Sequence, residues 1–424
     1  MIYEWFSQRA RAVLVSALAG GLAVMPGAAF ATDGYFLNGM GAKAKGAGGV
    51  AIAMPEDAVA IAANPAAATA LGHRLDMGVE IFVPRRGADI RGNGAGLNGS
   101  WSGNGANPFV LPELAYVRPL GDRVSVGIAL NANGGMNTQY VNNPFASFGA
   151  TGPAGVNLRQ LFITPTVAFE FAEGQSLGVS PIILVQSFEM RGIQPFTGNS
   201  AAPLAMTNRG EDWRTGAGVR VGYLGQFGVL SVGGFYQTKV WAQRFKKYEG
   251  LFAGRGDFDV PASWGFGASV KAGERLKLGA DFKRIEYSGV ASVGRPLAPL
   301  FAGNPFGADN GPGFGWQDIS VVKVGAVYEA SDRLALRLGY GHSENPVPAS
   351  ETFLNILAPG VVTSHYTGGA TLKLGARSEV TGYVMHAPRQ TVRGRNSIPL
   401  PFGGGEADVY LSETAVGLSW GLSF

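Results

Sequence analysis

The last eleven residues of the chain alternate in character. Even positions read Thr414, Val416, Leu418, Trp420, Leu422 and Phe424; odd positions read Ala415, Gly417, Ser419, Gly421 and Ser423. Side chains on a strand point alternately to opposite faces, so one face here is apolar and aromatic and the other small and polar. The apolar face runs to Phe424 with no polar residue closing it. A half-buried strand of a soluble sheet has the same period, but it rarely sets Trp and Phe at rim spacing. A transmembrane barrel strand needs about 9–11 residues of this pattern with its apolar side chains facing lipid.

The pattern recurs. Leu75, Met77, Val79, Ile81 and Val83 alternate with Asp76, Gly78, Glu80 and Phe82; Leu276, Leu278, Ala280 and Phe282 alternate with Lys277, Gly279, Asp281 and Lys283. Similar runs begin at Val124, Ala217, Leu334 and Tyr366. Arg, Lys and Asp fall consistently opposite the apolar face, as in a polar lumen inside a lipid-facing shell. Counting such runs from residue 75 onward predicts an all-β fold, an antiparallel barrel of about fourteen strands. Turns at 119–122, 172–175, 272–274 and 330–332 are tight. Connections at about 85–110, 133–158, 190–212, 288–317 and 388–407 are long, matching short periplasmic turns and long extracellular loops. Asn-Pro-Phe occurs in the long connections at 107–109, 143–145 and 304–306. It reads as turn punctuation with an aromatic packed on the loop; the functional alternative is a capture surface containing Phe145 and Phe148. Pro165 and Pro181 stand inside strand runs, roughly opposite each other across the 172–175 turn. Neither can donate to the ladder, so they predict either closed bulges or a second weak point in the wall.

The N-terminal part differs. Arg9 and Arg11, the apolar run Ala12–Met25 and the small-x-small site Ala29-Phe30-Ala31 read as a cleaved secretory signal over residues 1–31. Residues 32–74 do not alternate. Pro55 suits a first helical position, Ala58–Ala63 continues it, and Asn64-Pro65-Ala66 supplies an N-cap, an N1 proline and a second short helix that Gly72 stops. A compact Ala/Gly-rich segment ahead of a barrel (75–424) fits a plug in the lumen or a small periplasmic cap.

Composition narrows the chemistry. Charged residues make up only 15%, against about 25% in soluble domains, yet no run after the signal approaches the roughly 20 apolar residues of a membrane helix. The chain has no cysteine, which removes thiolate metal sites and a cysteine nucleophile. His73, His342, His365 and His386 have no metal-site spacing. No nucleophile elbow, phosphate loop or basic-aromatic run is present. The sequence therefore predicts no enzyme, no cofactor, no metal site and no nucleic-acid partner.

Gly34-Tyr35-Phe36-Leu37-Asn38, Gly39-Met40-Gly41, Glu56-Asp57 and Asn64-Pro65-Ala66 resemble the N-terminal hatch of FadL-type outer-membrane transporters for long-chain fatty acids and other hydrophobic compounds, a family that includes TodX-like aromatic hydrocarbon transporters. Arg337-Leu338-Gly339-Tyr340-Gly341 with Pro346-Val347-Pro348, and the closing Leu418–Phe424, resemble the same family. The resemblance implies a fourteen-stranded barrel in a Gram-negative outer membrane, plugged by a hatch whose Phe36, Leu37, Asn38, Asn64, Pro65 and Ala66 match the family's pattern. It implies capture by extracellular loops, a lumenal site beside the hatch, and lateral release near the third strand. By position that strand is about 122–135, where Asn131, Asn133, Gly134 and Gly135 read either as a kink or as a strand running into a loop. A fatty acid would need a cation; Arg123, Arg220 and Arg337 head the lumen-side candidates, and the competing role is pairing with lumenal acids or with the hatch. Trp420, Leu422 and Phe424 would form the signal read by the barrel-assembly machinery. Expected partners are a hydrophobic small molecule and outer-membrane lipids, around a monomer. A general diffusion porin or an adhesive barrel are the competing functions.

Overall fold

The structure is a computed structural model that describes residues 33–424. The signal reading of 1–31 lies outside the described residues. Fourteen strands form the wall: β1 (Arg74–Arg91), β2 (Phe109–Pro119), β3 (Val124–Asn137), β4 (Gly155–Ala172), β5 (Gln175–Arg191), β6 (Asp212–Phe227), β7 (Leu230–Gln237), β8 (Ser263–Ala272), β9 (Leu276–Ile285), β10 (Ile319–Glu329), β11 (Leu334–Ser343), β12 (Ser364–Lys373), β13 (Ser378–Val392) and β14 (Glu406–Ser423). Each pairs antiparallel with the next, and β14 pairs with β1 from Arg74↔Ser423 to Arg91↔Glu406. Closure leaves no edge, as a spanning sheet requires where water cannot satisfy its backbone. Two short ribbons, Gly99–Ser102 and Trp241–Ala242, pair beside the ring.

Alternation sorts the faces as the sequence predicts. Met77, Val79, Ile81, Phe169, Leu177, Phe266, Leu338, Val416 and Leu418 are exposed on the outside, while Asp76, Glu80, Arg220, Asp281, Lys323 and Arg337 are buried on the inside. Trp420 and Leu422 lie on the outer face at the level of Met77 and Leu75. Phe424 stacks on His73 at 4.4 Å, and His73 Nε2 lies 2.7 Å from the Tyr116 hydroxyl. All short connections lie at the end that holds Arg74 and Ser423. The long ones gather at the other, including 238–262 and 344–363, which the sequence reading passed over.

Residues 33–72 occupy the lumen. Ala42–Gly46 is a short helix, and Ala58–Ala62 and Pro65–Ala70 are 3-10 turns. The first turn begins at Ala58 rather than Pro55. Its N-cap Asp57 makes no cap bond; instead the wall residue Asp76 accepts from Ala58 N at 2.7 Å. Asn64 caps the second turn by accepting from Ala66 N at 3.1 Å. Wall glycines let this segment lie against the strands. A Cβ at Gly178 would collide with Pro65 and Ala66, one at Gly222 with Asn64, and one at Gly339 with Ala47 and Gly48.

The β4–β5 ladder pairs Ile163↔Ile183 and Val167↔Val179 and is interrupted between them, where Pro165 and Pro181 fall opposite. Thr166 Oγ1 and Ser180 Oγ share a 2.7 Å hydrogen bond there, and the flanking ladders continue through both prolines. The wall stays paired on either side of the interruption.

Candidate functional site: two internal cavities and a seam in the wall

The long connections build the first cavity. Phe145, Ile193, Phe196, Leu251, Phe252, Phe306, Phe314 and Phe353 line a cavity of about 50 Å³ whose lining is almost entirely apolar. Phe145 meets Phe196 edge-on at 5.1 Å, and Phe148 meets the same ring at 6.0 Å. Asn143 makes this placement possible: its Oδ1 accepts from Phe145 N at 2.8 Å while its Nδ2 donates to Gly152 O and Gly192 O. The Asn-Pro-Phe motif thus punctuates a turn and also supplies a cavity wall. Phe306 of the 304–306 copy lines the same cavity. Phe109 of the third instead packs under the Arg86 guanidinium.

Below the loops, Tyr35, Phe36, Phe258, Tyr287 and Trp316 form one aromatic cluster, with ring centroids 5.1–6.4 Å apart. The Tyr287 hydroxyl donates to Asp33 O and accepts from Tyr35 N. Beyond it lies a lumenal cavity of about 60 Å³ lined by Phe36, Leu37, Met40, Ile52, Phe235, Arg220, Asp281, Lys283 and Lys323.

The charges of this inner cavity are unequal in how well they are satisfied. Asp33 bridges Lys283 at 2.9 Å and Lys323 at 3.1 Å. Burial works against its charge, but the two ammonium groups outweigh burial and hold its carboxyl far below the usual range. Asp281 accepts from Ala51 N and Ile52 N at 2.8 and 3.0 Å. Arg220 is buried, donates only to Gln237, and lies 5.4 Å from the Phe235 ring; its Nε has no acceptor among the described residues. A buried guanidinium without a carboxylate is costly, and an anion in the cavity would relieve it.

The other two cation candidates fall elsewhere. Arg337 donates to Glu56 at 3.1 Å and to Thr371 at 2.6 Å, so it holds the N-terminal segment to the wall. Arg123 is exposed at the 120–123 turn, not in the lumen. Lys43 with Glu379 (2.6 Å), Lys45 with Glu80 (2.7 Å) and Glu113 (3.2 Å), and Lys277 with Glu56 (3.3 Å) add further segment-to-wall pairs. Asn64 Nδ2 adds bonds to Ile52 O at 2.8 Å and Tyr223 O at 2.9 Å. Asn38 is buried with both side-chain polar atoms unpartnered among the described residues.

The wall itself has a seam. The β2–β3 ladder runs only between Glu113↔Asn131 and Pro119↔Ser125. Above Asn131, β3 pairs with β4 alone, and its register slips between Ala132 and Gly134, leaving Asn133 as a bulge residue. In place of β2, the N-terminal segment lies along β3. Leu37 N donates to Asn133 O at 3.3 Å, Gly135 N donates to Tyr35 O at 3.0 Å, and Phe36 bridges Gly134. Asn131, whose Nδ2 donates to Ala132 O at 2.9 Å, sits at the lower end of the seam. Nothing in the local sequence marked the missing β2 pairing, because it depends on where the 92–108 connection re-enters the wall.

A closed fourteen-stranded barrel with an apolar outer belt and a lumen filled by its own N-terminal segment is the architecture of an integral outer-membrane transport protein. Residues 22–380 match the family described as Outer membrane protein transport protein (OMPP1/FadL/TodX), and the chain belongs to that family. Its members carry hydrophobic compounds across the Gram-negative outer membrane. Three solved structures share the fold. The Pseudomonas putida toluene transporter TodX is 17% identical, covering 92% of this chain and 99% of its own at a TM-score of 0.67. A Pseudomonas aeruginosa FadL homologue is 16% identical, covering 92% and 100% at 0.70. The Ralstonia pickettii toluene transporter TbuX is 19% identical, covering 92% and 99% at 0.64. No curated protein matches the sequence.

Proposed function

We propose that the protein takes up long-chain fatty acids, or hydrophobic compounds with a similar anionic head, by passive passage. The loop cavity captures the ligand, the lumenal cavity binds it with its carboxylate on Arg220, and residues 33–72 act as a hatch. The ligand then leaves sideways through the β2–β3 seam into the membrane. One observation carries this reading: Phe36 and Leu37 border the lumenal cavity, and the same stretch, Tyr35–Leu37, closes the seam. A ligand that displaces those three residues would open its own exit. Filling of the lumen by residues 33–72 speaks against a general porin. The likeness to toluene transporters favours a second reading, an uncharged hydrocarbon; unpaired Arg220 favours the anion.

The test is uptake by cells lacking their own transporter, with the protein or Arg220→Gln at matched surface levels. A labelled long-chain fatty acid is compared with its methyl ester. Uptake of the acid that falls in the variant while ester uptake holds supports the carboxylate role. Equal uptake of acid and ester by both forms moves the substrate to uncharged hydrocarbons. Uptake of neither by a folded barrel rejects the reading.

A further inference from the structure

The seam has a top as well as a bottom. Between Phe82, the last β1 residue that pairs with β2, and Gly87, where the Gly99–Ser102 ribbon begins, β1 has no strand partner on that side. β3 residues 132–137 lack one on the facing side. Among the described residues, the side chain that spans this gap with all its donors engaged is Arg86. Its Nε donates to Asn137 O at 2.6 Å, and its Nη2 donates to Asn137 Oδ1 at 2.5 Å and Ala106 O at 3.1 Å. Its Nη1 donates to Pro84 O at 2.9 Å and Asn107 Oδ1 at 3.1 Å. All five guanidinium N–H groups are used, and every acceptor is neutral. The charge is buried, and it rests 5.5 Å from the Phe109 ring. A planar fork that ties β1, the loop before β2 and the end of β3 is poorly replaced by any other side chain. Arg86, Met136 and Asn137 also line a small cavity of about 20 Å³ together with Trp316 and Gly360.

We propose that Arg86 is a positioning residue that clasps the extracellular end of the β2–β3 seam and thereby sets how wide the lateral opening becomes. This rests on the lateral-exit reading above. Tyr35–Leu37 can leave the seam without disturbing any bond of the clasp, so opening by the hatch is bounded above at Arg86–Asn137 and below at Glu113–Asn131. The width between those limits fixes the largest ligand that passes.

Because the chain has no cysteine, spin labels at Val110→Cys on β2 and Val141→Cys just beyond β3 report the seam width alone; both positions are exposed. The distance distribution is measured by double electron–electron resonance in lipid nanodiscs, with Arg86, Arg86→Gln and Arg86→Lys. Folding is checked by unheated gel migration. Arg86→Gln is expected to shift weight to longer distances, about tenfold for the loss of several such hydrogen bonds. Arg86→Lys, with three donors rather than five, should fall between and covers the case in which Arg86→Gln fails to fold. Uptake is read in parallel with a series of ligands of increasing cross-section. Widening together with entry of larger ligands, at unchanged half-saturation for a slim one, supports the clasp. An unchanged distribution in a folded variant overturns it. Widening with no change in rate or size limit leaves the clasp in place and refutes lateral exit.

Discussion

Asn64→Ala isolates what holds the N-terminal segment in the lumen. The Asn64 side chain is fully buried and makes three hydrogen bonds: one to Ala66 N, which caps the second 3-10 turn, one to Ile52 O, and one to Tyr223 O on β6. Alanine removes all three and leaves one donor and two acceptors without their partner. At about 1 kcal/mol per bond the loss is about 3 kcal/mol. The bonds to Ala66 N and Ile52 O hold the segment's own fold and the bond to Tyr223 O holds it to β6, so the loss falls on the folded, docked segment, while the strand ladder through Tyr223 does not use the side chain. Every 1.4 kcal/mol is a factor of ten, so the undocked population should rise on the order of a hundredfold. Hydrogen exchange followed by mass spectrometry reads this directly. The amides of Ala60, Ala63, Asn64 and Ala67 bond within the segment and should lose protection by that factor, while β6 and β10 keep theirs. Protection that drops less than about tenfold would refute the assignment of docking energy to Asn64. So would an equal loss in the wall strands.

Three other perturbations have defined outcomes. Burial, followed by the nearby Asp76 and Glu113 carboxylates, pushes the Asp57 carboxyl from 3.8 up to about 7, with Lys43 and Arg74 opposing. Docking of the segment therefore takes up a proton: its contribution is complete below about 3.8 and is lost as pH rises through about 7. Protection of residues 58–71 should fall between about pH 4 and pH 7 in the parent and stay level in Asp57→Asn; equal slopes would rule out Asp57 as the titrating group. Gly178→Ala places a Cβ against Pro65 and Ala66, so it should raise ligand leakage through the lumen while unheated gel migration stays normal; unchanged leakage would mean that the segment yields at no cost. Replacing Pro165 and Pro181 by Val adds two ladder donors where pairing is interrupted. Faster uptake loss on substitution would mark a second weak point in the wall, and unchanged uptake with normal folding removes that idea.

The barrel was legible because its signal is local. Period-two alternation in Leu75–Val83 or Thr414–Phe424 needs no knowledge of the partner strand, and tight turns such as 172–175 mark their own ends. The corner at Asn64-Pro65 was equally local, since N-cap and N1 preferences act within three residues. What the sequence hid depends on distant chain meeting in space. Phe196, Phe252, Phe306 and Phe353 come from four separate connections, and none carries a mark that sets it apart from other loop aromatics. Arg337 and Arg220 look alike on their strands, yet Glu56 reaches one, and among the described residues no acid pairs with the other. The start of the first 3-10 turn at Ala58 was missed for the same reason: its donor is met by Asp76 from the wall, not by a residue before it. The arginine clasp could not be read at all, because its acceptors are mostly main-chain carbonyls.

The buried ion pairs between the N-terminal segment and the wall carry information as well as energy. Reading along the segment, the signs are negative at Asp33, positive at Lys43 and Lys45, and negative at Glu56; the wall answers with Lys283 and Lys323, then Glu379, Glu80 and Glu113, then Lys277 and Arg337. A segment shifted along the lumen, so that Lys43 and Lys45 met Lys283 and Lys323 or Asp33 met Glu379, would set like charges together away from water, which costs several kcal/mol. The two surfaces therefore fix the register of the segment in the lumen. Grafting this segment into a relative's barrel should succeed only when its wall charges travel with it.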